Sequence, residues 1–313
     1  MHRIGYVLSD DFQVMALGTQ AVFEFANHVL GRDYYGIETY SPAGGEIRTS
    51  LGLKVLTKAL TRRTQADTWM VPGVYDPITT PADPAVVAFL AGPAQRARRI
   101  AGLCTGGFVL GEAGLLENRR ATTHWLFVEA MRERYPSTHL EPDRIFVTDG
   151  PVWTSAGMSS GLDLAIGLLE SDLGADVARA VAHRLVMHHR RTGGQTQHSE
   201  LLTLAPRTDR IQEALEYARR NLTQPLGVEE LAEVAHLSPR QFSRVFTAET
   251  GESPAKAVEK LRLEAARTMI EQSRHSLEVV ARETGFRDRR HLREVFVRGY
   301  GIPPQAVRRE ARA

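Results

Sequence analysis

The chain is poor in the features that staple, anchor or energise a protein. It holds a single cysteine, Cys104, so no intrachain disulfide can form and the fold must rest on its core. No apolar run approaches the ~18 residues that a membrane span needs; the densest, Ala85 to Ala91, stops at Gly92-Pro93. The opening MHRIGYVLSD has no charged start, long apolar middle or small-residue cleavage site. Together these absences lead us to expect a cytoplasmic protein with no membrane partner. Net charge is also scarce, at +2, so any affinity for a polyanion must come from local clustering.

Cofactor motifs are missing as well. There is no Gly-x-x-x-x-Gly-Lys-[Ser/Thr] loop, and Gly106-Gly107-Phe-Val-Leu-Gly111 does not have the spacing of a dinucleotide fingerprint. His183, His188 and His189 stand at i, i+5, i+6 with no carboxylate to complete a ligand set, so neither metal nor cofactor is expected.

What is present is a repeat. The segments LAEVAHLSPRQFSRVFTAETGESP (231–254) and VVARETGFRDRRHLREVFVRGYGIPP (279–304) carry one pattern twice. A shift of fifty places Ser238 on Asp288, Phe242 on Leu292, Phe246 on Phe296, Gly251 on Gly301 and Pro254 on Pro304. Upstream of the turn the shift is forty-nine, pairing Ala232 with Ala281, so the second copy has one extra turn residue. In each copy a short apolar stripe precedes a break, at His236-Leu237 or Gly285-Phe286. A helix then starts at an N-cap, Ser238 followed by Pro239, or Asp288. Phe242, Val245 and Phe246 fall at i, i+3, i+4, as do Leu292, Val295 and Phe296. Arg240, Gln241, Ser243 and Arg244 occupy the outer face of one copy, and Arg289, Arg290, Arg293 and Glu294 that of the other. Two short helices with the second apolar inside and Arg-rich outside make a helix-turn-helix. A helix over 255–273, with Val258, Leu261, Leu263, Ala265, Ala266 and Met269 as its packing surface, bridges the copies. Asp209 to Ala313 holds 19 Lys and Arg against 16 Asp and Glu, a weak excess of +3. Arg287, Arg289, Arg290, Arg293 and Arg298 concentrate that charge on the second motif, where it reads as an electrostatic footprint for DNA.

The first half alternates strand and helix signals. Strands are expected over 3–8, 35–40, 68–71 and 100–103, an antiparallel ribbon over 47–57, and a hairpin at Asp149-Gly150 between 145–147 and 152–155. Helices are expected over 19–27, 84–99, 107–113, 162–170 and 175–189. Such alternation implies a mostly parallel α/β sheet with helices on both faces. The stretch 188–210, with Gly193-Gly194 and Pro206, breaks the periodicity and reads as a linker.

Cys104 lies in IAGLCTGGF, a glycine-rich strand-to-helix turn of the kind that borders a ligand crevice. A helix N-terminus there would favour thiolate, and His124 in ATTHW could complete a Cys–His pair for acyl transfer or carbonyl addition. The competing reading is a small buried hydrophobe. Trp69, Tyr75 and Trp125 are candidates for an aromatic wall around a quaternary amine or for ordinary core.

The 231–304 segment resembles the AraC/XylS-type DNA-binding domain, through ETGESPAKAVEKLRLEAARTMI (249–270) and ARETGFRDRRHLREVF (281–296). His236 stands where that family commonly has glycine or a small residue. Residues 1 to about 190 resemble the ThiJ/PfpI, class I glutamine-amidotransferase-like fold, flavodoxin-like in its sheet. The matches are Met70-Val-Pro-Gly73, GLCTGGFVLGEAGLL (102–116), ATTHW (121–125) and TSAGMSSGLDLAIGLLE (154–170). The order of the two domains is that of the GlxA-type transcriptional regulators.

The resemblance implies a sensor domain over 1–190, a linker over 191–208 and a double helix-turn-helix domain over 209–313. Its partners would be double-stranded promoter DNA, a small-molecule effector, RNA polymerase and a second copy joined through the N-terminal domain. Base contacts carry over to Arg240, Gln241, Ser243 and Arg244, and to Arg289, Arg290, Arg293 and Glu294. Arg can grip guanine bidentately, Gln can pair with adenine and Glu can accept from cytosine. The effector pocket would be lined by Gly73, Val74, Cys104, Thr105, Gly106, His124 and Trp125. Active members of the superfamily have a carboxylate in the first helical turn, where this chain has Ala16. Their Pro-Gly-Gly oxyanion loop reads Pro72-Gly73-Val74, and Thr105 follows the cysteine in place of His. Cys104 and His124 are then vestigial and the domain non-catalytic. The alternatives are an active Cys–His amidase or carbonyl-modifying enzyme carrying a DNA-binding domain, and a bare dimerisation scaffold.

Overall fold

A computed structural model describes residues 1–187, Gln197, Leu204 and 208–310, and the chain falls into two compact units, Met1–Gln197 and His198–Ala313. In the first unit β1 (His2–Val7) leads through a short 3-10 turn into α1 (Gln20–Leu30) and β2 (Tyr35–Ser41). The hairpin β3 (Gly45–Arg48) and β4 (Lys54–Ala59) follows, then β5 (Thr68–Pro72), α2 (Pro84–Ala91), β6 (Arg99–Leu103) and α3 (Gly106–Glu112). After β7 (Arg120–Ala121) come α4 (Val128–Arg134), β8 (His139–Leu140), β9 (Phe146–Asp149), β10 (Val152–Ser155), α5 (Met158–Leu173) and α6 (Ala175–Arg184).

Eight strands form one sheet in the order β3-β4-β2-β1-β5-β6-β10-β9, parallel except for the β3–β4 and β9–β10 hairpins. One face packs on α1, α5 and α6 through Phe23, Ala26, Leu164 and Val181. The other face packs on α2, α3 and α4 through Phe89, Leu90, Phe108 and Met131. Both faces are thus covered by helices, as the alternation implied. Trp69 belongs to this second core, edge-on to Tyr40 and Phe89, which removes it from any aromatic wall. Tyr75 and Trp125 are exposed.

Three expected helices have different limits. The one placed over 84–99 stops at Ala91, because Gly92 leaves the helical region and Pro93 cannot continue the hydrogen-bond ladder. Residues 93–96 form a 3-10 turn before β6. The helix placed over 162–170 starts earlier, at Met158, where the Ser160 hydroxyl accepts from the Gly157 N–H (2.6 Å). The helix placed over 175–189 is seen to Arg184; His188 and His189 lie outside the described residues. So does most of the stretch expected as linker. Of its described members, Gln197 is held against the first unit and Leu204 is buried in the core of the second.

The second unit is helical: α7 (Asp209–Arg220), α8 (Val228–Val234), α9 (Pro239–Thr250), α10 (Pro254–Gln272), α11 (Leu277–Glu283), α12 (Arg289–Tyr300) and α13 (Pro304–Glu310). The repeat is visible in its punctuation. Ser238 caps α9 and Asp288 caps α12, each accepting from the backbone N–H three residues on. Gly251 and Gly301 close those helices in the left-handed conformation. Ser253 and Ser276 cap α10 and α11 in the same way. Among the described residues no helix is long and apolar enough to cross a membrane.

Candidate ligand site and DNA-reading surface

Parallel register brings three strand ends to one level. Pro72 pairs with Leu103, and Leu103 with Ser155, so the turns after β5, β6 and β10 emerge side by side. Cys104 is the first residue of the middle turn and takes a left-handed φ of 55°, a strained conformation characteristic of functional turns. Its N–H donates to the Ser155 hydroxyl (3.3 Å), and its carbonyl accepts from the Thr123 hydroxyl (3.4 Å). The Thr105 hydroxyl donates to the Val74 carbonyl (2.6 Å), and the Gly73 carbonyl accepts from the Gln13 N–H (3.1 Å). A Cβ on Gly106 would lie 2.0 Å from the Val71 carbonyl oxygen, so only glycine lets α3 start this close to β5. His124 follows Thr123, caps the short turn over 125–127 by accepting from the Leu126 N–H, and lies over Gly157.

Of the two readings of Cys104, activated thiolate and small buried hydrophobe, its surroundings bear on both. Cys104 is only 4% exposed, and burial pushes its thiol up to about 11, against a smaller opposing effect of hydrogen bonds at Thr105. A neutral thiol is the outcome when desolvation outweighs the dipole of a seven-residue helix. Ala16 is buried, and it has no carboxylate to orient a nucleophile.

Three of the seven expected pocket residues are neighbours around one small void. Gly73, Val74 and Thr105 line a small void of about 30 Å³ together with Phe108, Val109, Glu112, Arg134 and Tyr135. On its polar wall the Glu112 carboxylate accepts from Arg134 (3.1 Å) and from the Tyr135 hydroxyl (2.9 Å). Cys104, Gly106, His124 and Trp125 are outside that lining. Trp125 is 52% exposed, and its N–H donates to the Gln197 amide oxygen (2.9 Å). Gln197 also donates to the Thr123 carbonyl (2.8 Å) and the Pro142 carbonyl (2.6 Å). No sequence signal singled it out, since a glutamine within a polar stretch looks like solvent-facing linker. Among the described residues no three His, Cys, Asp or Glu side chains gather as a metal site requires.

On the second unit Phe242 and Phe246 are buried in α9, and Leu292, Val295 and Phe296 in α12, which turns the polar faces of both helices outward. The arginines there differ in availability. Arg289 pairs with Glu278 (3.1 Å), Arg290 with Glu294 (3.0 Å), Arg287 with Asp288 (3.2 Å) and Arg298 with Glu259 (2.6 Å). Arg240, Arg244 and Arg293 are exposed and have no ion-pair partner among the described residues. The Gln241 side chain is engaged in a capping box, accepting from the Ser238 hydroxyl (2.8 Å), and the Ser243 hydroxyl donates to the Pro239 carbonyl (3.0 Å). The arginine cluster of the second copy is therefore largely neutralised by its own neighbours.

Comparison with known proteins accounts for both units. Residues 20–171 match the DJ-1/PfpI family and residues 231–310 a helix-turn-helix domain family. The chain is 30% identical over 318 residues to the HTH-type transcriptional regulator GlxA of Rhizobium meliloti, covering 99% of this chain and 97% of that one. It is also 37% identical to the isonitrile hydratase of Pseudomonas putida, over 105 residues that make up 33% of this chain and 44% of that enzyme. Among solved structures, an AraC family transcriptional regulator from Pseudomonas putida superposes with a TM-score of 0.52 at 23% identity, covering 59% of this chain and all of that one.

Proposed function

The chain belongs to the family of HTH-type transcriptional regulators that join a DJ-1/PfpI domain to an AraC-type helix-turn-helix domain, and from that premise we propose how its two units divide the work. The N-terminal unit is a non-catalytic sensor of a small metabolite. The observation that carries this is the state of Cys104: buried, with its thiol pushed up to about 11 and no carboxylate at Ala16 to orient it. A neutral, enclosed thiol is a poor nucleophile at physiological pH. What remains at the strand ends is a polar, glycine-lined rim that can hold a ligand without reacting with it.

The DNA-reading surface is the outer face of α9 and α12. Arg240, Arg244 and Arg293 are its leading base or phosphate contacts, because no ion pair has to be broken to use them. Arg289, Arg290 and Glu294 join once their exposed pairs are exchanged for DNA, at a cost of about 0–1 kcal/mol each. Gln241 serves first in the capping box of α9, and the Ser243 hydroxyl is turned back onto the Pro239 carbonyl. Effector binding acts on transcription through a difference in affinity for the states that do and do not bind DNA.

A thermal-shift panel of amino acids, betaines and nucleosides on the full-length protein tests the sensor. A ligand that raises the melting temperature and changes promoter binding supports it; a flat panel favours a scaffold. The isonitrile hydratase match and the strained turn at Cys104 favour one second reading, a retained Cys–His activity. Turnover of isonitriles, amides or reactive aldehydes that is lost in Cys104→Ser would establish it.

A further inference from the structure

The two helix-turn-helix motifs do not share a core. Ala257, Val258 and Leu261 of α10 complete the first core, and Leu263, Ala266 and Ile270 complete the second. Arg262 is the residue between those two sets. Its Nε donates to the Leu222 carbonyl (3.0 Å) and its Nη2 to the Gln224 carbonyl (2.6 Å), in the loop between α7 and α8. These loop carbonyls need a donor of their own, and the guanidinium supplies it. The same Leu222 carbonyl meets the turn of the second motif. Gly285 has a φ of 76°, and a Cβ on it would fall 1.8 Å from the Leu222 oxygen and 2.7 Å from the Arg262 Nε. One carbonyl is thus the meeting point of the loop leading into the first motif, the bridging helix and the second motif.

We infer that Arg262 is a positioning residue that fixes the separation and tilt of the two recognition helices, and so sets the base-pair spacing the protein accepts. It rests on the reading that both motifs contact DNA. The mechanics are simple. A recognition helix lies ~17 Å from the joint if the two readers are one duplex turn (~34 Å) apart. A tilt of ~10° at the joint then displaces a reader by ~3 Å, close to the ~3.4 Å rise of one base pair. Two cores joined only by a helix would permit such a tilt, since long helices bend readily. The guanidinium fork opposes it by holding two carbonyls in a fixed geometry, which a lysine cannot reproduce. Gly285 matters for the same reason, because any side chain there would push the second motif off the junction.

The test selects duplexes from a random pool with the full-length protein, then changes the gap between the two selected sub-sites by one base pair. Wild type is expected to lose about tenfold in affinity, or 1.4 kcal/mol, on either change. Arg262→Met should stay folded by thermal melting yet lose less than about threefold on the same changes. If that variant fails to fold, Arg262→Lys carries the test, because it keeps the charge and loses the fork. Spacing tolerance is a readout that general destabilisation would not move. A folded variant with the wild-type preference for one gap overturns the assignment. Selection of a single undivided sub-site by the wild type would overturn the two-reader reading, and the role of Arg262 with it.

Discussion

Cys104 shows how one side chain can lie in a glycine-rich turn and still be enclosed. The backbone at Cys104 is left-handed, the side chain is 4% exposed, and burial pushes the thiol pKa up to about 11. Alkylation by iodoacetamide should therefore be slow at pH 8, and its rate should still be climbing at pH 10. A rate that levels off near pH 8 would show an ordinary or activated thiol. The turns of the two motifs make a second contrast. His236 has a φ of 54° at the place where the second copy has Gly285. A left-handed conformation costs an L-residue ~1–2 kcal/mol, partly offset because glycine is freer in the unfolded chain. His236→Gly should be neutral or stabilising by up to ~1 kcal/mol in urea denaturation, whereas Gly285→Ala should destabilise by more than ~1 kcal/mol because of its clash with Leu222.

At the scale of elements, the duplication was legible almost completely. The period-3.6 apolar stripe, the Ser and Asp caps and the closing glycines each have a local cause, and α9, α10 and α12 begin and end within a residue or two of where those signals place them. Phe296→Ala should cost ~3–5 kcal/mol by leaving a cavity in the second core. The electrostatics of the same helix were not legible, because spacing counts arginines without showing their partners. Arg290→Ala and Arg293→Ala separate the two cases. In binding to selected duplexes, Arg293→Ala should lose ~1–3 kcal/mol and relax preference at one position. Arg290→Ala should lose less, since its guanidinium is held by Glu294 in the free protein. Equal losses would mean that the ion pair has no bearing on reading.

The whole molecule adds connections that no stretch of sequence contains. At the N-terminal end of the strands the carboxylate of Asp172, fully buried, accepts from Arg99 (2.7 and 2.8 Å), Arg98 (2.8 Å) and the Tyr35 hydroxyl (3.0 Å), with His2 at 3.9 Å. Asp172→Asn leaves Arg99 buried without its counter-charge and should cost ~3–5 kcal/mol. Burial lowers the pKa of His2 in the fold, so its contribution to stability is complete above the unfolded value of ~6.5. That contribution should be lost as pH falls below this value, and His2→Gln should flatten this part of the pH–stability curve. Binding to promoter DNA should weaken with salt, with a slope near −0.9 for each phosphate neutralised; a salt-independent affinity would contradict the reading surface.

The amino-acid order by itself determined the repeat, its caps and turns, the alternation of strands and helices, and hence the two kinds of domain, because each depends on periodicity and on residues a few positions apart. Only the tertiary structure decided that Cys104 is buried, that Gln197 is held against the first unit, and that Arg262 sits at the seam of two cores. Those outcomes depend on burial and on partners tens of residues away, which exist only once the chain has folded.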